Sequence, residues 1–213
     1  MDLKKRAENM REFFNRKAKE DAYDCVHLKM MDSKIPITEA LPEGTKRVLD
    51  LGGGTGLELI PLFERFPEAH AVVVDVAEDM LAQLKKRDFS DRVEAVCGDF
   101  FEIGFGKGYD AVISTAALHH FTEEDKLRLY QKALSGLRPG GMLVNSDKCV
   151  FTQEEQDFGF RELAEDPHKY NHMDTPLTPE NEMKILAAAG FADVVCSRIG
   201  QSNYFLFTAV KPS

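Results

Sequence analysis

The chain is 213 residues long, room for one domain of ordinary size with a modest addition. Its 43% hydrophobic and 30% charged residues sit near the soluble globular average, which excludes a disordered or fibrous chain. A net charge of −9 opposes a polyphosphate backbone over the whole molecule, so nucleic acid is disfavoured as a partner.

The first residues, Met1 to Arg6, run into further charge instead of the apolar stretch of about 7–15 residues that a secretory signal needs. No segment reaches the roughly 18 apolar residues of a membrane span. Cys25, Cys97, Cys149 and Cys196 are scattered, with no CxxC pair. A cytoplasmic protein with free thiols is expected.

Residues 1–45 form a leader in which Leu3, Ala7, Met10, Phe14 and Ala18 recur every three or four positions, as on one apolar helix face. From about residue 46, short β-rich runs alternate with helical patterns, which predicts an α/β fold. Strands are expected at 46–51, 69–75, 92–96, 109–114 and 141–146. A closing hairpin at 193–199 and 204–210 adds an antiparallel strand to an otherwise parallel sheet. Thr122 with Asp125, and Thr178 with Pro179, mark helix starts; Leu137-Arg138-Pro139-Gly140-Gly141 marks a helix stop. The extra stretch Phe151 to Pro176, rich in Phe, His, Tyr and acidic residues, is with the leader a candidate cover for a site.

Asp50-Leu51-Gly52-Gly53-Gly54-Thr55-Gly56 leaves the first strand and enters a helix. Glycines there permit a sharp turn and close approach of a ligand to the backbone. Leu57 stands where a dinucleotide fingerprint has its third glycine, so a ligand without a pyrophosphate fits better. Asp75 ends the second strand, where its carboxylate would stand beside the loop and could accept both hydroxyls of a ribose, or cap the next helix.

Val48 to Gly56 resembles the first motif of the class I S-adenosylmethionine-dependent methyltransferases. Further segments are similar to that family in order: Val74-Asp75 with Met80, Gly98-Asp99-Phe100, Tyr109 to Ser114 with Leu118-His119-His120-Phe121, and Leu137 to Gly141. The resemblance covers about residues 46–148 and the hairpin. It implies a Rossmann-like, doubly wound, seven-stranded sheet, mostly parallel, in a single domain. Within it, 1–45 would be a helical leader or cap, 46–150 the cofactor-binding half, 151–177 an insertion or lid, and 178–213 the last helix and hairpin. It further implies S-adenosylmethionine as cofactor, with Gly52 and Gly54 facing its methionine part, Asp75 its ribose, and Asp99, Phe100 and Met80 its adenine. Ser114 and Thr115 would lie under the methionine, and Asp50 near its amino group.

Methyl transfer is an in-line displacement, for which a general base helps when the acceptor carries a proton. His119 and His120 are the candidates, and His168, Tyr170 and His172 are candidates for the acceptor pocket. His168, His172 and Asp174 could sit around an ion, but no fourth ligand stands at a fixed spacing, so no metal is expected. The leader also holds Phe13, Phe14 and Tyr23, similar to an element ahead of the first strand in the small-molecule ubiquinone and menaquinone biosynthesis methyltransferases. Tyr23 is expected at the cofactor, and Phe13 and Phe14 in packing of the leader on the sheet. The expected reaction is methylation of a small molecule, at an O, N or C atom left open, by a chain able to form a homodimer. RNA or protein as acceptor, and cofactor binding without transfer, remain the alternatives.

Overall fold

The computed structural model describes residues 3–20, 24, 34–165 and 174–213. Seven strands form one sheet in the order β3-β2-β1-β4-β5-β7-β6: β1 (Arg47–Leu51), β2 (His70–Asp75), β3 (Val93–Cys97), β4 (Tyr109–Thr115), β5 (Leu137–Lys148), β6 (Ala192–Arg198) and β7 (Tyr204–Val210). Strands β1 to β5 pair in parallel, whereas β7 runs antiparallel to both β5 and β6. This is the mostly parallel seven-stranded sheet, with helices on both faces, that the family resemblance implies, and it bears out the α/β alternation.

The helices are α1 (Leu3–Ala18), α2 (Ile35–Ala40), α3 (Leu59–Arg65), α4 (Glu78–Leu84), α5 (Glu123–Gly136), α6 (Gln153–Glu165) and α7 (Pro179–Ala188). Alternation along β1 explains the two layers. Val48 joins Ile37, Leu59, Leu62 and Leu84 on one face, while Leu49 and Leu51 join Leu129, Tyr130 and Leu186 on the other. Each of these side chains is at most 2% exposed. Full burial of one such side chain is worth about 1.5–3 kcal/mol. Thr122 caps α5 by accepting from the Asp125 amide, and Thr178 caps α7 by accepting from that of Asn181. No helix among the described residues is long and apolar enough to cross a membrane.

Two elements differ from expectation. Strand β5 begins at Leu137, directly after α5, because Tyr109 pairs with Leu137 ahead of a bulge that re-registers Ala111 on Met142. Gly141 makes this possible, since a Cβ there would come within 2.9 Å of the Arg138 carbonyl oxygen. The stretch from Phe151 also contains helix α6.

Strands β2 and β3 lie to one side of β1, and β4 and β5 to the other. The sheet therefore reverses its winding between β1 and β4, the place where open α/β sheets bind ligands beyond the carboxyl ends of their strands.

Candidate active site

A cavity of about 430 Å³ opens at that switch point, within the usual range of about 300–1,000 Å³ for small-ligand sites. Its floor is the turn after β1. Gly52 has φ +76° and donates its N–H to the Val74 carbonyl at 2.8 Å. A Cβ there would stand 2.5 Å from the Ala117 side chain, so glycine is required on both steric and conformational grounds. Ala116, also in the wall, is held at φ +53°, a left-handed conformation of the kind that gathers at binding sites.

Asp75 reaches the same turn. Its Oδ2 accepts from Gly54 N–H at 2.9 Å and its Oδ1 from Ala77 N–H at 2.8 Å, just ahead of α4. Burial pushes its carboxyl up to about 6, against the pull of those amides. Met80, Asp99 and Phe100 continue the wall, with Asp99 Oδ1 accepting from the Phe101 amide at 2.7 Å. Thr115 closes it at the end of β4.

Asp50 and Ser114 do not line the cavity; they lie beneath it. Position 50 falls on the β1 face that carries Val48, under the glycine turn, and a Cβ on Gly53 would meet Asp50 Oδ2 at 2.4 Å. The Ser114 hydroxyl donates to the Leu51 carbonyl at 2.7 Å and ties β4 to β1. Tyr23, His168, Tyr170 and His172 lie outside the described residues.

Helix α1 crosses over the cavity instead of packing on a sheet face. Its Asn15 Oδ1 accepts from the Asp79 amide at 2.9 Å, Arg11 donates to the Val76 carbonyl at 3.2 Å, and Arg6 pairs with Asp125 at 2.5 Å. Phe13 and Phe14 therefore line the cavity, which corrects their expected place against the sheet. Phe14 packs on Ala77 and Met80 and lies 5.8 Å from the His120 ring.

At the far wall, the short turn Leu118–His120 buries both histidines, 6% and 5% exposed. His119 Nδ1 lies 2.6 Å from Oδ1 of Asp147, a carboxylate 1% exposed near the end of β5. Burial raises the Asp147 carboxyl, but the His119 contact, the Lys126 charge and the Lys148 amide together hold it below the usual range. His119 Nε2 lies 3.5 Å, and His120 Nδ1 3.1 Å, from Asp174 Oδ1, whose other oxygen accepts from Lys148 Nζ at 2.8 Å. The Thr175 amide donates to the His119 carbonyl at 2.7 Å and fixes the turn. Among the described residues, one donor atom from each of His119, His120 and Asp174 falls within 4.8 Å of the others, close enough for a divalent ion as well as for proton exchange. The described part of 151–165 contributes nothing to the cavity wall.

Asp147 was absent from the sequence-based candidates, and Asp174, weighed there only with His168 and His172 around an ion, meets His119 and His120 instead. Asp147 had one signal, its place at the carboxyl end of a buried strand.

Residues 48–141 match the methyltransferase domain family. The chain is 30% identical over 148 residues to a malonyl-[acyl-carrier protein] O-methyltransferase of Acetivibrio thermocellus, covering 69% of this chain and 52% of that protein. It is 34% identical over 131 residues to a 3-amino-4-hydroxybenzoate 4-O-methyltransferase of Streptomyces cremeus, covering 57% of this chain and 35% of that protein. The chain thus spans about half the length, or less, of these curated relatives. The solved DhpI–SAH complex superposes with a TM-score of 0.75 at 21% identity, over 97% of both chains. Human N-acetylserotonin methyltransferase in complex with SAM superposes with a TM-score of 0.68 at 20% identity, over 85% of this chain and 52% of that one. Both share the fold. The matched domain, the sheet order and the cavity at its switch point agree, and residues 48–141 belong to the methyltransferase domain family.

Proposed function

We propose that this chain transfers a methyl group from S-adenosylmethionine to a hydroxyl oxygen of a small molecule, with His119 as the general base. The observation that carries the base is the buried 2.6 Å contact between His119 Nδ1 and Asp147, in a ring that lines the cavity. A carboxylate at Nδ1 keeps the proton on that nitrogen and stabilises the imidazolium that forms, while Nε2, 3.5 Å from Asp174 Oδ1, would take the acceptor's proton with the acceptor hydroxyl in that oxygen's place. His120, its ring 4.0 Å from that of His119 and tilted by 47°, and Asp174 hold the turn and can pass the proton onward.

The cavity fits the cofactor. Gly52 and Gly54 give a backbone surface that a Cβ would obstruct or strain, and Asp75 presents carboxylate oxygens beside it. Gly52, Gly54 and Thr115 would hold the methionine portion, Asp75 the ribose, and Met80, Asp99 and Phe100 the adenine, with Asp50 and Ser114 supporting from beneath. When bound, S-adenosylmethionine supplies an electrophilic methyl on a sulfonium. The roof of Phe13, Phe14 and Met10 excludes water from that centre. A small hydroxyl acceptor agrees with the −9 charge and with the 3-amino-4-hydroxybenzoate 4-O-methyltransferase relative. The free thiols Cys97, Cys149 and Cys196 suit a reducing, cytoplasmic setting. Of the stretch 151–177, Asp174 and Thr175 bear on the site by clasping the histidine turn.

The test is release of S-adenosylhomocysteine across a panel of small phenols, hydroxy acids and amines, with and without EDTA. Turnover of a hydroxyl acceptor that survives EDTA is expected. Turnover with RNA alone, or activity lost to EDTA and restored by a divalent ion, would replace this reading.

Affinity for S-adenosylhomocysteine is expected to fall as pH drops through about 6, because a protonated Asp75 can no longer accept from both ribose hydroxyls. Asp75→Ala is expected to weaken binding by about 1–3 kcal/mol and to flatten that profile. Calorimetry at several pH values checks both. Stability runs the other way: a carboxyl raised on folding favours the folded state more as pH falls toward the unfolded value of about 4, and less above 6.

A further inference from the structure

The histidine turn carries more donor atoms than one base needs, and they converge. His119 Nε2 lies 3.5 Å, and His120 Nδ1 3.1 Å, from the same oxygen, Oδ1 of Asp174. Tetrahedral coordination at about 2.0–2.2 Å sets donor atoms about 3.3–3.6 Å apart, so these two separations are already close to those around a bound zinc. One donor atom from each residue falls within 4.8 Å of the others, and turning the two rings brings all three onto one ion.

The surroundings are those of a metal-binding histidine. A ligating imidazole ordinarily donates its second ring N–H to a carboxylate, which fixes the tautomer and makes the coordinating nitrogen more basic. His119 has that partner in Asp147 Oδ1, 2.6 Å from Nδ1 and on a side chain 2% exposed. Asp174 is oriented as well, because its other oxygen accepts from Lys148 Nζ at 2.8 Å. Its side chain is 32% exposed, which leaves an entry path from solvent, and both rings line the cavity, where a fourth coordination position can hold water. Two imidazoles and one carboxylate select a borderline ion such as Zn²⁺ over Mg²⁺ or Ca²⁺, which take oxygen donors. Asp147 and Asp174 together offset the charge of a divalent ion, while the Lys148 ammonium beside Asp174 weakens its hold and favours reversible binding.

We propose that His119, His120 and Asp174 form a site for a divalent ion of the zinc class, and that filling it silences the enzyme. The ion and the acceptor's proton compete for one lone pair, that of His119 Nε2, and the ion also occupies the onward path through His120 and Asp174. The silencing rests on His119 being the base. The ion site rests only on the geometry of its donors.

The test titrates metal-stripped protein with ZnCl₂, CoCl₂ and MgCl₂. Calorimetry is expected to show one zinc per chain and no magnesium, and Asp174→Asn and His120→Ala are each expected to weaken zinc binding by about tenfold or more. Bound cobalt is expected to give the intense visible bands of a four-coordinate site, without the thiolate charge-transfer band that ligation by the exposed Cys97 would add. Turnover of the best acceptor should fall in step with zinc occupancy and return with EDTA. Zinc affinity untouched by both substitutions, a thiolate band, or no saturable zinc binding overturns the site. If the variants fail to fold, the wild-type cobalt spectrum decides: an octahedral or thiolate spectrum overturns it. Zinc that binds with the expected dependence and leaves turnover unchanged overturns the silencing, and His119 as base with it. Turnover that requires zinc overturns the silencing and the metal-free reaction together.

Discussion

His119→Ala is expected to lower kcat/KM by about 10²–10⁴-fold, the usual contribution of a positioned acid–base group, with affinity for S-adenosylhomocysteine nearly unchanged. The separation follows from the geometry. His119 sits on the Leu118–His120 turn after β4, while Asp75 and Asp99 come from the ends of β2 and β3. Asp147→Asn should lose a large part of the same factor without removing the ring. The amide carries no charge to stabilise the imidazolium, and its NH₂ can face Nδ1 and shift the proton to Nε2, where the lone pair is needed. Steady-state kinetics on the best acceptor, with calorimetry in parallel, measures both. A His119→Ala protein that keeps more than about a tenth of wild-type activity removes His119 from the base role. His120→Ala leaves the Asp147 contact in place and removes only the onward path through Asp174, so a smaller loss than that of His119→Ala is expected.

The largest expected loss of stability lies away from the cavity, at Glu182. That carboxylate is 1% exposed and accepts from Lys126 Nζ at 2.5 Å and from the Tyr130 hydroxyl, joining α7 to α5. Burial first, and the Glu182 charge second, push the Tyr130 hydroxyl well up, so the phenol stays a donor. Glu182→Ala would leave the Lys126 ammonium, also 1% exposed, without its counter-charge. Breaking a buried pair from one side costs about 3–5 kcal/mol, a large share of the roughly 5–15 kcal/mol that holds a domain folded. Urea unfolding should show it as a lowered midpoint. Replacing both partners with apolar side chains, Lys126→Met with Glu182→Leu, should recover much of the loss, since no orphaned charge remains. A single-variant cost below about 1 kcal/mol would mean that water reaches the pair. Lys126 also contributes to holding the Asp147 carboxyl down, so the single variant is expected to disturb catalysis as well.

What could be read from the sequence was local or periodic. Thr122 and Thr178 mark helix starts because each cap is satisfied three residues downstream, and the Gly52–Gly56 turn is legible because backbone freedom is written in residue type. Helix α6 was missed although it carries a signal of the same kind. The Thr152 hydroxyl accepts from the Glu155 amide at 3.2 Å while Glu155 Oε2 accepts from the Thr152 amide at 3.2 Å, a reciprocal cap. Gly159 and an exposed Phe158 weaken its apolar stripe, so the stretch read only as an insertion, without a helix of its own. The site's second carboxylates were out of reach for another reason. Asp147 meets His119 across 28 positions and Arg6 meets Asp125 across 119, distances over which no residue spacing carries a signal. Phe13 and Phe14 show the limit of an amphipathic face. The periodicity says that the face is covered, but the choice between sheet and cavity depends on where α1 crosses.

The position of β7 bears on how the molecule is made. Strand β6 is translated before β7, yet its neighbour in the sheet is β7, which also fills the place beside β5. During synthesis β6 therefore has no ladder to join, and the β5 edge stays open, until residues 204–210 have emerged. Phe207 and Ala209, both fully buried, are then the side chains that complete the hydrophobic layer. Closure of the sheet is a late event in which two strands must dock together, and it is the interval in which an unpaired β5 edge is exposed to pairing with another nascent chain.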